Sequence, residues 1–169
     1  ALRQSIEAGE KQEQQVRTAS QGAAAVLFSI GGALNREGAE DIVSLYLQAA
    51  RALDPDSDDV LVLLGGLAEN QKKADRAIEY YRAVPEKSPM RRISELQLGL
   101  NLADTGKVEE AKKHLQALID ADPADLRSYL ALGSVFSDAK DYKAMGALYD
   151  KAADVIGNAV RGMRIRKGE

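Results

Sequence analysis

Gly31, Gly65, Gly99 and Gly133 stand 34 residues apart, each after a large aliphatic residue: Ile30, Leu64, Leu98 and Leu132. Pro55, Pro89 and Pro123 keep the same step, and Gly157 holds the fourth slot. Self-similarity at one fixed period marks an array of stacked units, and a period of this size marks a helix–turn–helix unit. Such units pack only on their neighbours, so the 169-residue chain needs no single central core.

With those glycines at position eight, the units run 24–57, 58–91, 92–125 and 126–159. Position four then reads Leu27, Leu61, Glu95 and Tyr129, and position eleven reads Leu34, Ala68, Leu102 and Phe136. Positions four, seven, eight and eleven share one face of a first helix because they lie three to four residues apart. Position twenty (Val43, Ala77, Ala111, Met145), position twenty-four (Leu47, Tyr81, Leu115, Tyr149) and position twenty-seven (Ala50, Val84, Leu118, Ala152) do the same on a second helix. Glycine at eight and a small residue at twenty let the two helices approach closely. Proline at thirty-two ends the second helix. Gly38 and Gly106 fall at the turn within their units, where Lys72 and Lys140 hold the same slot less comfortably. Pro85 should end the second helix of the second unit about a turn early.

In this register the chain resembles the tetratricopeptide repeat family over residues 24–159, most clearly in LLGGLAENQKKADRAIEYYRAVPEKSP and LGLNLADTGKVEEAKKHLQALIDADP. The departures are Glu95 at position four, Val43 and Met145 at twenty, and Gly157 for the last proline. The resemblance implies an all-α fold, a right-handed α-solenoid of about eight antiparallel helices. It also implies a non-catalytic protein-interaction scaffold whose partner is another protein or a peptide segment.

The family's groove positions carry over as follows. Position five gives Phe28, Val62, Leu96 and Leu130, apolar at every step; position nine gives Gly32, Gly66, Leu100 and Ser134. Positions twelve and thirteen give Asn35 and Arg36, Glu69 and Asn70, Ala103 and Asp104, Ser137 and Asp138. This is a groove with an apolar stripe and a mostly small floor, suited to an extended or helical segment. Phe28 and Leu96 are expected to face a partner. Val62 and Leu130 read equally well as spacers between neighbouring first helices. The slots that clamp a C-terminal carboxylate in one chaperone-binding subfamily hold Phe28, Gly32, Leu63, Ile93 and Gln97, so that activity is not expected. With Glu69, Asp104 and Asp138 on this face, a basic or neutral segment fits better than an acidic one. Gly32 and Gly66 have no packing duty in the family pattern, and each costs a helix roughly 1 kcal/mol relative to alanine. They are expected where a ligand backbone comes near.

No other chemistry is expected. DPDSDD (54–59) lacks the glycine and glutamate of a calcium loop and reads as a turn whose Asp and Ser cap the next helix. His114, the only histidine, is expected on a solvated helix surface with no second histidine or cysteine to complete a metal site. Ser134 and Ser137 have no histidine nearby in register to activate them. No catalytic, cofactor or metal residue is therefore assigned. A net charge of −3 gives no reason to expect nucleic acid, since binding phosphates needs a basic face. No apolar run approaches the ~18 residues of a membrane span.

Residues 1–23 read as a polar lead-in and 160–169 as a basic tail carrying Arg161, Arg164, Arg166 and Lys167. No polar capping helix is evident, so the sequence reads as a piece of a longer, bacterial array, from cytoplasm or periplasm. The alternatives are a homo-oligomer formed through uncapped ends, or the recognition arm of a larger enzyme or envelope-assembly protein.

Overall fold

A computed structural model describes residues 18–34 and 38–167, with side chains described through Asn158. Among the described residues there are eight α-helices and no strand. They are α1 (Ala19–Leu34), α2 (Glu40–Leu53), α3 (Asp58–Asn70), α4 (Ala74–Ala83), α5 (Arg91–Asp104), α6 (Val108–Ala121), α7 (Leu126–Asp138) and α8 (Tyr142–Lys167). They form two compact bodies, one ending at Pro55 and one beginning at Asp56. None of the helices is long and apolar enough to cross a membrane.

In the first body α1 packs on α2. Helix α1 starts at Ala19, ahead of the expected unit boundary at 24. Thr18 is the local reason: its Oγ1 accepts a hydrogen bond from the Gln21 amide at 3.1 Å, a capping contact. Ser20 Oγ donates to the Leu53 carbonyl at 2.6 Å, tying the start of α1 to the end of α2. Leu47, Val43 and Ala50 form the buried face of α2, so valine at position twenty is accommodated.

In the second body each helix packs on the next in chain order, and α5 also packs on α7. Leu61, Leu64, Ala77, Tyr81, Leu102, Ala111, Leu115, Tyr129 and Leu132 are in the core as the register predicts, whereas Leu118, Phe136 and Met145 are half-buried and Tyr149 is exposed. An added Cβ at Gly65, Gly99 or Gly133 would come within 2.5, 2.5 or 2.1 Å of Tyr81, Leu115 or Tyr149, the position-twenty-four side chain of the same unit. Glycine is therefore imposed by packing at Gly65 and Gly99, against buried Tyr81 and Leu115, whereas at Gly133 the near atom is the hydroxyl end of exposed Tyr149, which can shift.

The turns within the second, third and fourth units share one geometry. Lys73 N bonds Ala68 O and Lys72 N bonds Glu69 O, both at 2.8 Å; the pairs at Lys107–Leu102 and Gly106–Ala103, and at Asp141–Phe136 and Lys140–Ser137, repeat it. This double bond pattern ends a helix with one residue in the left-handed region. Gly106 adopts φ 80° without cost, whereas Lys72 and Lys140 are held at φ 57° and 58°.

One feature follows expectation and three depart from it. Helix α4 stops at Ala83 and Val84 turns extended (φ −61°, ψ 126°), as Pro85 demands. By contrast, no break occurs at Gly157: α8 continues through the expected tail to Lys167, because glycine, unlike proline, keeps its N–H and avoids a ring clash. Ser57 occupies the N-cap position of α3 but makes no side-chain capping bond. Instead the Asp58 carboxylate accepts from Ser88 Oγ at 2.5 Å, linking the start of α3 to the segment after α4. His114 is half-buried rather than solvated, with Nε2 2.9 Å from Glu95 Oε2 and 3.0 Å from the Glu95 carbonyl. That contact, with an ion pair from Arg91 one turn away, explains how a carboxylate replaces the apolar residue of position four.

Candidate binding groove

The second body presents α3, α5 and α7 as successive first helices. A cleft of about 430 Å³ opens where the C-terminal ends of α3 and α5 meet the start of α4, lined by Glu69, Lys72, Ala74, Gln97, Leu100, Asn101 and Asp104. Three residues expected from the sequence, Glu69, Leu100 and Asp104, thus line one cavity.

Glu69 is held by two donors. Asn101 Nδ2 donates to Glu69 Oε1 at 2.5 Å and to the Gln97 carbonyl at 2.8 Å. The Tyr81 hydroxyl donates to the same carboxylate, and burial, followed by the adjacent negative charge of Glu69, pushes the phenol well above its ordinary range. These bonds fix a half-buried carboxylate at the base of the cleft, while Asp104 is exposed. Apolar surface comes from Leu100 and Ala74, and Lys72 is the one cation lining the cleft. The site can therefore grip a cationic or hydrogen-bond-donating group against preoriented acceptors, beside an apolar contact.

The remaining groove residues divide. The apolar stripe at position five is not uniform: Leu96, expected to face a partner, is only 7% exposed, whereas Leu130 is 62% exposed. The reason is neighbourhood. Leu96 lies on α5, on which the following first helix α7 packs, while among the described residues no later first helix packs on α7, which carries Leu130. Val62 is half-buried, Gly66 is half-buried with only the Tyr81 hydroxyl oxygen at 4.0 Å from a would-be Cβ, and Asn70 is exposed. Ser134 and Asp138 are exposed on α7 at the matching positions, outside the cleft. In the first body Phe28 is half-buried and Gly32 is exposed, with nothing within 4 Å of a would-be Cβ. Asn35 and Arg36 lie outside the described residues.

Family positions alone missed Asn101, Gln97 and Lys72. A signal for Asn101 existed: position ten reads Ala33, Leu67, Asn101 and Val135, so one buried amide interrupts an otherwise apolar column.

Nearby, Arg92 joins the third unit to the fourth. Its Nε donates to Asp125 Oδ2 at 2.7 Å and its Nη2 to Ser128 Oγ at 3.1 Å. Asp125 also caps α7 by accepting from the Arg127 amide. Burial would raise the Asp125 carboxyl, but hydrogen bonds from Arg127 and Arg92 outweigh it and hold the group down at about 2.

Tandem helix pairs with tight glycine contacts and an open, acidic cleft along the first helices define an α-solenoid interaction scaffold. The chain belongs to the tetratricopeptide repeat family, whose profile matches residues 44–90 and 96–159. Solved structures with the same fold include one titled MamA MSR-1, with 22% identity and a TM-score of 0.65 over 86% of this chain and 83% of that one. Another is a MamA fragment from Desulfovibrio magneticus, with 20% identity and a TM-score of 0.66 over 90% and 88%. A third is YrrB, described as a TPR protein with an unusual peptide-binding site, with 18% identity and a TM-score of 0.65 over 88% and 76%. No curated relative matches in sequence.

Proposed function

We propose that this scaffold binds an extended or helical segment of another protein along α3, α5 and α7, and that the cleft at Glu69 receives a lysine or arginine of that segment. The observation that carries the reading is the fixed Glu69 carboxylate with Leu100 and Asp104 beside it. A guanidinium or ammonium meets charge-assisted acceptors there, and the adjoining methylene groups cover Leu100. The structure of YrrB, a peptide-binding protein of the same fold, supports a groove of this kind. Glu69 and Asp104 outnumber the single lysine lining the cleft, which disfavours acidic segments. The scaffold acts by presentation: a preformed groove lowers the ordering cost that falls on its own side of the complex.

A displayed random-peptide library tests this. Selection on the full chain should enrich sequences carrying Lys or Arg next to an apolar residue. Asp104→Lys, at an exposed position, should weaken the selected peptides at least about tenfold, roughly 1.4 kcal/mol. Enrichment of acidic peptides, or binding untouched by Asp104→Lys, would refute the assignment.

A further inference from the structure

The cleft at Glu69 carries a directional pattern beyond its net charge, and Asn101 sets it. This side chain is only 2% exposed, and it lines the cleft. Its Nδ2 spends both hydrogens, one on Glu69 Oε1 at 2.5 Å and one on the Gln97 carbonyl at 2.8 Å. Only the nitrogen end of an amide can donate to two acceptors at once, so the group faces one way. Its Oδ1 is then the outstanding acceptor, and no donor reaches it among the described residues.

Glu69 supplies the other half of the pattern. Asn101 occupies its Oε1, and the Tyr81 hydroxyl donates to the same carboxylate. At least two of its roughly four lone-pair sites are therefore spent. Asp104 has both oxygens free but is exposed, so it adds attraction without a fixed geometry. Lys72, the cation lining the cleft, pairs with neither carboxylate among the described residues. The base of the cleft thus offers single acceptors from different residues rather than a free pair of carboxylate oxygens side by side.

We propose, resting on the reading of a basic anchor residue above, that the cleft takes the primary ammonium of an unmodified lysine in preference to arginine. An ammonium offers three donors from one atom on a flexible stem, so it can meet scattered single acceptors such as Glu69 and Asn101 Oδ1. A guanidinium is flat and rigid, and its strong contact is a two-point fork on both oxygens of one carboxylate. Asn101 obstructs that fork at Glu69 by holding Oε1. The methylene stem of the lysine covers Leu100. Modification of the lysine then switches binding off. Acetylation removes the charge and all but one donor, while trimethylation keeps the charge and removes every donor.

The probe is the tightest lysine-bearing peptide that a displayed random library yields on the full chain. It is synthesised in four forms that differ only at that residue: lysine, arginine, acetyl-lysine and trimethyl-lysine. Calorimetric titration should rank lysine first, with arginine at least about fivefold weaker. Both modified forms should be at least about tenfold weaker, because the buried acceptors are then left unpaired. Arginine or trimethyl-lysine binding as tightly as lysine overturns the proposal, as does a library that enriches arginine alone. The basic-anchor reading survives those results as long as Asp104→Lys still weakens the peptide. A library that enriches no basic residue overturns both. Asn101→Leu, which installs the residue type of Leu67 at the same position of the second unit, should close the gap between lysine and arginine. A gap that persists in this variant, shown by circular dichroism to be folded, overturns the role given to Asn101. Should the variant unfold, the four peptides on the native chain decide the matter.

Discussion

The first and third units obey the same register and live in different surroundings. Helix α1 is almost wholly apolar, yet only Ala24 and Gly31 are buried on it. Helix α5 is far more polar, yet six of its residues are buried, Ser94 and Asn101 among them. Burial in a solenoid follows the number of neighbouring units more closely than the hydrophobicity of the helix. The position-eight glycines show the same contrast: a would-be Cβ at Gly31 meets Leu47 and Tyr46 at an ordinary 3.4 Å, whereas at Gly99 it meets Leu115 at 2.5 Å.

The largest effect that can break this comparison lies at those glycines. Gly99→Ala should destabilise the protein by about 1–3 kcal/mol, because fully buried Leu115 has no space to retreat. Gly31→Ala should be neutral or slightly stabilising, since alanine favours a helix by up to about 1 kcal/mol over glycine. Equal losses in urea unfolding would show that the first pair is packed as tightly as the third.

A second expectation concerns the ionic junction between the third and fourth units. The Asp125 carboxyl is depressed in the folded state, so its stabilising contribution is present above the ordinary carboxylate range and is lost as pH falls toward about 2. Asp125→Asn should therefore lower the thermal midpoint near neutral pH, and the gap to the native protein should narrow as pH drops through that window. A gap independent of pH would mean that the side chain acts by capping geometry alone.

The smallest expected effect lies at the turns. Gly38 and Lys140 both hold positive φ, at 83° and 58°. Lys140→Gly should stabilise the fourth unit by up to about 1 kcal/mol, because glycine enters the left-handed region without a Cβ clash. Unchanged stability would show that the lysine stem recovers that cost by packing.

Most of the architecture was legible in the sequence, since position eight, the turn residues and Pro85 each act on the backbone within their own helix pair. Of the residues that family positions single out, some line one cleft and others do not. Glu69, Leu100 and Asp104 fell where family positions placed them, and Leu96 did not. The expectation at Leu96 rested on residue type and family position, which do not register that α7 packs on α5 and buries it. His114 shows the same limit: its partner Glu95 is 19 residues away, on the facing helix.

The repeat period, helix boundaries set by proline, and the close helix approach at glycine were determined by sequence alone, because sterics within one unit are local and recur every 34 residues. Which of four equivalent side chains is covered and where a carboxylate finds its donors were decided only by the tertiary structure. Those outcomes depend on neighbouring units, and a repeating sequence does not record which unit has a neighbour.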